Sequence, residues 1–109
     1  MNQFSPLSTL ASFTGATTAP TSVRVTSNCG VQDGQFRIAN TATSIDCVVG
    51  WGATDAIAKA NAAGNINNNC VVALANKDVY INAPENSYFS GITPSGTAVI
   101  YIQYGILNK

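Results

Sequence analysis

Apolar and polar residues alternate in short stretches along most of this chain, which is the pattern of half-buried β-strands. Turn residues such as glycine, proline, asparagine and serine separate the stretches. The pattern occurs in "TSVRVTS", "GQFRIAN", "SIDCVVGWG", "CVVALA", "KDVYINAP", "YFSGI" and "TAVIYIQYG". Short strands at this spacing predict an all-β fold: a single-domain antiparallel β-sandwich or a jelly-roll-like arrangement.

Two neighbouring stretches, "GQFRIAN" and "SIDCVVGWG", predict a hairpin whose register suits both of its faces. If Phe36 faces Cys47 on the inner side, Arg37 faces Asp46 on the outer side. An exposed ion pair contributes under about 1 kcal/mol, so this pair would set register more than stability. Trp51 lies in phase with Cys47, which places it in the core or at its edge.

The stretch "DAIAKANAAG" (residues 55–64) is the one helix-like segment of the sequence, and Thr54 before it is a possible N-cap. A helix this short is marginal by itself, so a loop of irregular structure is the alternative.

The last stretch is apolar on both of its sides. Tyr101 lies in phase with Val99, and Tyr104 lies in phase with Ile102. This pattern indicates either a strand buried on both faces, or a strand with one face in the core and the other against a neighbouring subunit.

Residues 1–20 are rich in serine, threonine and alanine and carry few large apolar side chains. Such a segment buries too little surface to order itself alone. We therefore expect residues 1–20 to form an extended N-terminal arm with at most one edge strand, and residues 21–109 to form the β-sandwich domain.

Charged residues make up only 9% of the chain, and the net charge is zero. An average soluble domain carries about a quarter charged residues, so this surface has little electrostatic protection against association. The composition suits a protein that packs against copies of itself or against a larger assembly. A secreted domain with a neutral polar surface is the alternative.

Several partners and compartments are disfavoured by the same composition. The five basic residues are scattered, which argues against nucleic acid. No apolar run approaches the roughly 20 residues that cross a bilayer. The N-terminus lacks the features of a signal peptide, so we expect synthesis in a cytoplasm.

This chain contains few residues that could support catalysis. It has no histidine, and its five acidic residues are dispersed, so we predict no enzyme, no catalytic residue, no metal site and no cofactor. Cys29, Cys47 and Cys70 have no metal-ligand or disulfide spacing, and we expect three reduced thiols.

Residues 21–106 resemble small structural proteins of tailed bacteriophages and prophages. The similarity is clearest in "ITPSGTA" (residues 92–98), in "IYI" (residues 100–102) and in the closing Gly105. Proteins of this type look like capsid decoration, or cement, proteins: compact β-sandwiches that bind as oligomers outside the icosahedral shell. Similar proteins are instead neck, tail or head-fibre components. The three cysteines and the asparagine-rich residues 65–69 depart from the pattern.

The resemblance implies a non-enzymatic virion protein, made in the cytoplasm of a host bacterium, whose partners are the major capsid protein and further copies of itself, as a dimer or trimer. The final strand would supply the subunit interface through Val99, Tyr101, Gln103 and Tyr104. The arm would contact the capsid through Phe4, Leu7, Leu10 and Phe13.

Two other roles remain open. A neck or tail adaptor would share the virion but occupy a ring. A carbohydrate-binding or adhesion module would need an exposed aromatic platform, for which Trp51, Tyr80 and Tyr88 are the candidates.

Overall fold

A computed structural model gives the fold of the protein. It describes residues 3–6, 10–25, 35–63, 69–83 and 87–108, with the backbone alone for residues 3–6 and 106–108. The elements are β1 (Gln3–Pro6), β2 (Ala11–Gly15), β3 (Val23–Arg24), β4 (Gln35–Asn40), β5 (Cys47–Gly52), α1 (Asp55–Ala62), β6 (Cys70–Ala73), β7 (Asp78–Ile81), β8 (Tyr88–Ile92) and β9 (Ala98–Asn108).

These strands form two antiparallel sheets that enclose one core. The first sheet has the order β1-β9-β4-β7, and β2 also pairs with β9. The second sheet has the order β3-β8-β5-β6. The predicted all-β class with antiparallel sheets is therefore confirmed, whereas the jelly-roll arrangement is not.

Aromatic rings from both sheets meet at the centre of the core. The ring of Phe36 lies 4.8 Å from those of both Phe89 and Tyr104, between centroids. Trp51 is almost fully buried against Phe89, which confirms its predicted position at the core. Tilted ring pairs at these distances add specific contacts to the burial of apolar area.

The predicted hairpin between the segments of β4 and β5 is wrong. β4 pairs with β7 and β9, while β5 lies in the other sheet between β6 and β8. Arg37 therefore bonds Asp78 across the β4–β7 pair, with Nη2 2.7 Å and Nε 3.0 Å from Oδ2. The Asp46 carboxylate instead accepts a hydrogen bond from the Ala75 backbone N–H at 2.8 Å.

Two of the connections between the sheets are tight turns with a positive φ. Asn76 has φ of 58°, and the Lys77 N–H donates to the Leu74 carbonyl at 3.1 Å between β6 and β7. Gly96 has φ of 70° between β8 and β9, and the Thr93 hydroxyl donates to its carbonyl at 2.8 Å. A positive φ costs glycine little and asparagine less than most residues. Both turns join strands of different sheets.

Residues predicted to form an extended arm with at most one edge strand supply two strands of the first sheet. β1 and β2 follow one another along one edge of β9, so that Gln3 faces Asn108 and Gly15 faces Ala98. Phe13 of β2 is buried in the core. The extended arm is thus not confirmed, because its backbone finds hydrogen-bond partners on β9 that composition does not reveal.

The predicted helix is confirmed as α1, which ends at Ala62. The Thr54 hydroxyl accepts a hydrogen bond from the Ile57 N–H at 3.2 Å, as an N-cap does. Near the same end, the Asp55 carboxylate accepts from the Ser22 N–H at 2.8 Å. Capping and docking together stabilise a helix that is too short to persist alone.

α1 lies directly on the outer side of the second sheet because Gly50 presents no side chain there. A Cβ at Gly50 would stand 2.1 Å from the Ala62 nitrogen. The buried Asn61 amide donates to the Trp51 carbonyl at 2.8 Å, which attaches the helix to β5. The helix therefore covers part of the outer side of this sheet.

Asn40 connects the two sheets through its buried side chain. Its Nδ2 donates to the carbonyls of Ile45 and Ala73, both at 2.9 Å, and its Oδ1 accepts from the Ala42 N–H at 2.9 Å. Ala73 belongs to β6 of the second sheet, while Asn40 ends β4 of the first. One amide thus satisfies three backbone groups where the chain leaves its ladder.

Replacement of Asn40 by alanine should destabilise the fold by about 2–3 kcal/mol, because two carbonyls lose their donor inside the protein. The measurement is the free energy of urea unfolding. Asn82→Ala, at an exposed position, is the matched control and should change it by less than about 0.5 kcal/mol. Equal stabilities of the two variants would show that the amide does not hold the sheets together.

Candidate functional site

The outer side of β9 is the surface that the sequence singled out. Val99 and Tyr101 are 39% and 37% exposed there, and Gln103 is partly exposed. Tyr104 points the opposite way and is buried against Phe36, so its assignment to the interface is wrong. Its phase with the inward isoleucines of β9, rather than its chemistry, determines where it lies.

Strand register sets the neighbours of these side chains. Ser12 of β2 lies beside Tyr101 on one side, and Ala39 of β4 lies beside it on the other. Thr14 of β2 lies beside Val99. We define the β9 face as Ser12, Thr14, Ala39, Val99, Tyr101 and Gln103. It has no charged side chain along its centre.

The charges next to the β9 face neutralise each other. The next strands bring Arg37 beside Gln103 and Tyr80 beside Arg37. The hydrogen bond with Asp78 raises the pKa of Arg37, and burial opposes this only in part. Because both side chains are well exposed, the pair adds little stability. The pair of side chains carries no net charge.

The candidate residues of the arm are distributed differently from the prediction. Leu10 is exposed, next to the start of β2, whereas Phe13 faces the core and is unavailable for a capsid contact in this fold. Phe4 belongs to β1 and its backbone faces Leu107, but its side chain lies outside the described residues. Leu7 also lies outside them. Since β2 borders β9, the arm and the final strand contribute to one surface.

The candidates for an aromatic sugar platform are mostly covered. Trp51 is in the core. Tyr88 is partly buried, and the Arg24 guanidinium lies 5.5 Å from the centre of its ring. Tyr80 is exposed on the outer side of the first sheet, which it shares with Tyr101. The sequence did not pair these two tyrosines, because they are distant along the chain.

A second apolar surface, which the sequence analysis missed, lies on the outer side of the second sheet. Val72, Val48 and Ile92 form a row across β6, β5 and β8. Beside α1 this row opens into a groove of about 450 Å³, lined by Asp46, Val48, Ala62, Ala63, Ile92, Thr93 and Pro94. The alternation within β5 could have indicated this surface, because Val48 is out of phase with the core residues Cys47 and Val49 and so lies on the outer side of the sheet.

Cys47 and Cys70 are free thiols, and Cys29 lies outside the described residues. Cys47 is fully buried, and desolvation raises the pKa of its thiol to about 11 from an ordinary value of 9.0. Over the described ranges, no three acidic or cysteine side chains come together as metal ligands, and no helix is long and apolar enough to cross a membrane.

Comparisons of this chain with protein-family models, with curated proteins and with solved structures found no match.

Burial of Cys47 should make stability fall at alkaline pH. The thiol of the unfolded chain ionises above about pH 9, while that of the folded protein keeps its proton up to about pH 11. The stabilisation is complete below pH 9 and is lost as the pH rises to 11, by about 2–3 kcal/mol. Urea unfolding at several pH values measures this.

The variant Cys47→Ala should lack this part of the pH dependence, while Cys70→Ala, the matched control, should keep it. All titratable groups other than these two cysteines are common to the three proteins. Identical pH profiles for the wild type and Cys47→Ala would contradict the assignment.

Proposed function

We propose that this protein is a non-enzymatic structural component of a tailed-phage virion, which decorates the capsid by binding the outer surface of the major capsid protein lattice. The observation that carries the proposal is the β9 face: exposed apolar side chains without charge, on a sheet whose inner side is a complete core. The resemblance of residues 21–106 to decoration proteins supports the same role.

The β9 face suits contact with a protein surface rather than with a charged ligand. Val99 and Tyr101 supply apolar area at its centre, and the backbone around them is held in the sheet by β2 and β4. A rigid, preorganised surface loses little conformational entropy on binding. β2, from the segment expected to contact the capsid, contributes Ser12 and Thr14 to the same face as Val99 and Tyr101, and we assign that face to the capsid.

Stabilisation of the capsid would follow from mass action. A protein that binds the assembled lattice but not its free subunits stabilises the lattice by RT ln(1 + [L]/Kd). Several weak contacts that act together raise the occupancy far beyond that of one contact. No catalytic group is required for this activity.

Substitution of Tyr101 by lysine should weaken binding to purified capsids at least about tenfold, because a charge would be buried in an apolar contact. Co-sedimentation followed by quantitative gel analysis measures the bound copies. Ala60→Lys, on the exposed side of α1, is the matched control and should bind as the wild type does. If a folded Tyr101→Lys protein binds capsids at the wild-type number of copies, the proposal is wrong.

The position of the bound copies separates decoration from an adaptor role. Electron microscopy of particles should show copies spread over the whole shell. A single ring at one vertex would indicate a neck or tail component instead.

A carbohydrate-binding role is the second candidate, and one observation favours it. Tyr80 and Tyr101 are both exposed on one side of the first sheet, near the polar side chains of Arg37, Gln103 and Asp78. Aromatic rings beside polar groups can contact the apolar and hydroxyl parts of a sugar.

In a carbohydrate-binding protein, Tyr80→Ala should lower binding to bacterial surface polysaccharide at least tenfold. The same change should leave capsid binding within about twofold, because Tyr80 lies outside the β9 face. A glycan array and the capsid assay, run on the same preparation, distinguish the two functions. An array without any signal for the wild type removes the second candidate.

A further inference from the structure

β6 is one of the two edge strands of the second sheet, and β5 is its one neighbour among the described strands. The Trp51 N–H donates to the Asn69 carbonyl at 3.0 Å. Hydrogen-bonded positions alternate along an antiparallel pair. The backbone N–H and carbonyl groups of Val71 and Ala73 therefore also point toward β5. The backbone N–H and carbonyl groups of Cys70 and Val72 therefore point away from the sheet.

This edge lacks the usual protection against further pairing. Edge strands are normally interrupted by charges, proline or a bulge. β6 reads Cys-Val-Val-Ala and pairs with β5 in continuous register. Val72 is 50% exposed and Leu74, just after the strand, is 51% exposed. The edge therefore offers both backbone groups and apolar side chains.

The apolar row on the outer side of the sheet ends at the same edge, where Val72 is exposed. Ile92, Val48 and Val72 lie side by side across β8, β5 and β6, next to the groove along α1. A strand added to β6 would lengthen this apolar row and cover Val72. Burial of apolar area would then add to the new backbone hydrogen bonds.

We propose that β6 pairs antiparallel with β6 of a second copy of this chain, around a two-fold axis near Val71. Cys70 then faces Val72 of the second copy, and the outward backbone groups of both strands form about four hydrogen bonds. The two four-stranded sheets become one continuous sheet.

The lack of charge on β6 favours a second copy of the chain as the partner at this edge. β6 has no charged residue, and the chain has zero net charge, so two copies meet without like-charge repulsion. The strand is complementary to itself, because its outward positions, Cys70 and Val72, are placed symmetrically about Val71. A two-fold contact requires this self-complementarity.

The geometry of this dimer has a consequence for binding. In one antiparallel sheet the two-fold axis is perpendicular to the sheet, so the first sheets of both copies lie on the same side. Both β9 faces then point in one direction. A dimer would present two such faces to a flat partner such as the proposed capsid lattice, a consequence that rests on the proposed function. The pairing itself does not.

Replacement of Val72 by lysine should raise the dimer dissociation constant at least tenfold, because each copy would place a charge beside the new strand pair. Sedimentation velocity over a range of concentrations measures it. Circular dichroism and urea unfolding establish that the exposed substitution leaves the fold intact. A wild-type protein that stays monomeric up to ~1 mM overturns the proposal.

Tyr101→Lys is the matched control, since it adds the same charge on the opposite sheet. It should leave the dimer intact while capsid binding is lost, so the two proposals fail separately. If Tyr101→Lys yields monomers and Val72→Lys does not, the copies associate through β9 and the edge proposal is wrong.

The variant Val72→Cys tests the register. In a Cys29→Ser background, oxidation should link Cys70 of one copy to the introduced thiol of the other, because facing hydrogen-bonded residues lie about 5.5 Å apart between Cα atoms. Non-reducing electrophoresis should show a covalent dimer. Mass spectrometry then identifies the two cysteines that are linked. A link between two introduced thiols instead would refute the axis near Val71.

Discussion

The fold depends on a link between the two sheets at Asn40. The chain leaves the first sheet after β4 and enters the second at β5, so residues 41–46 lie outside both ladders. Backbone groups there still need partners once water is excluded. The Asn40 amide supplies them to Ile45 and Ala42, and it also bonds Ala73 of β6. This link holds the end of β4 in the first sheet to β6 in the second.

The two sheets differ in what covers their outer sides. In the second, glycine at position 50 allows α1 to lie directly on the strands, and the helix covers part of that side. In the first, β9 is paired along both edges, by β4 and by β1 and β2, but no described element covers its outer side. Surface available for a partner therefore lies on the β9 face and at the β6 edge.

Sparse charge gives both surfaces the same character. The ion pair between Arg37 and Asp78 is local and exposed, so it neutralises its surroundings without contributing much stability. Association through apolar area and backbone hydrogen bonds, rather than through electrostatic steering, follows from this arrangement. Contacts of this kind depend little on the salt concentration.

Alternation along the chain by itself determined which residues face the core: Phe36, Ile38, Cys47, Val49 and Trp51 are all buried as their phase requires. The possible cap at Thr54 and the composition of residues 55–64 also indicated the helix. Tertiary structure alone decided which strands are neighbours. It paired the side chain of Arg37 with that of Asp78 and put β2 beside β9. The physical reason is that a period of two reports the side of a strand on which a residue lies, whereas pairing depends on contacts between segments far apart in sequence.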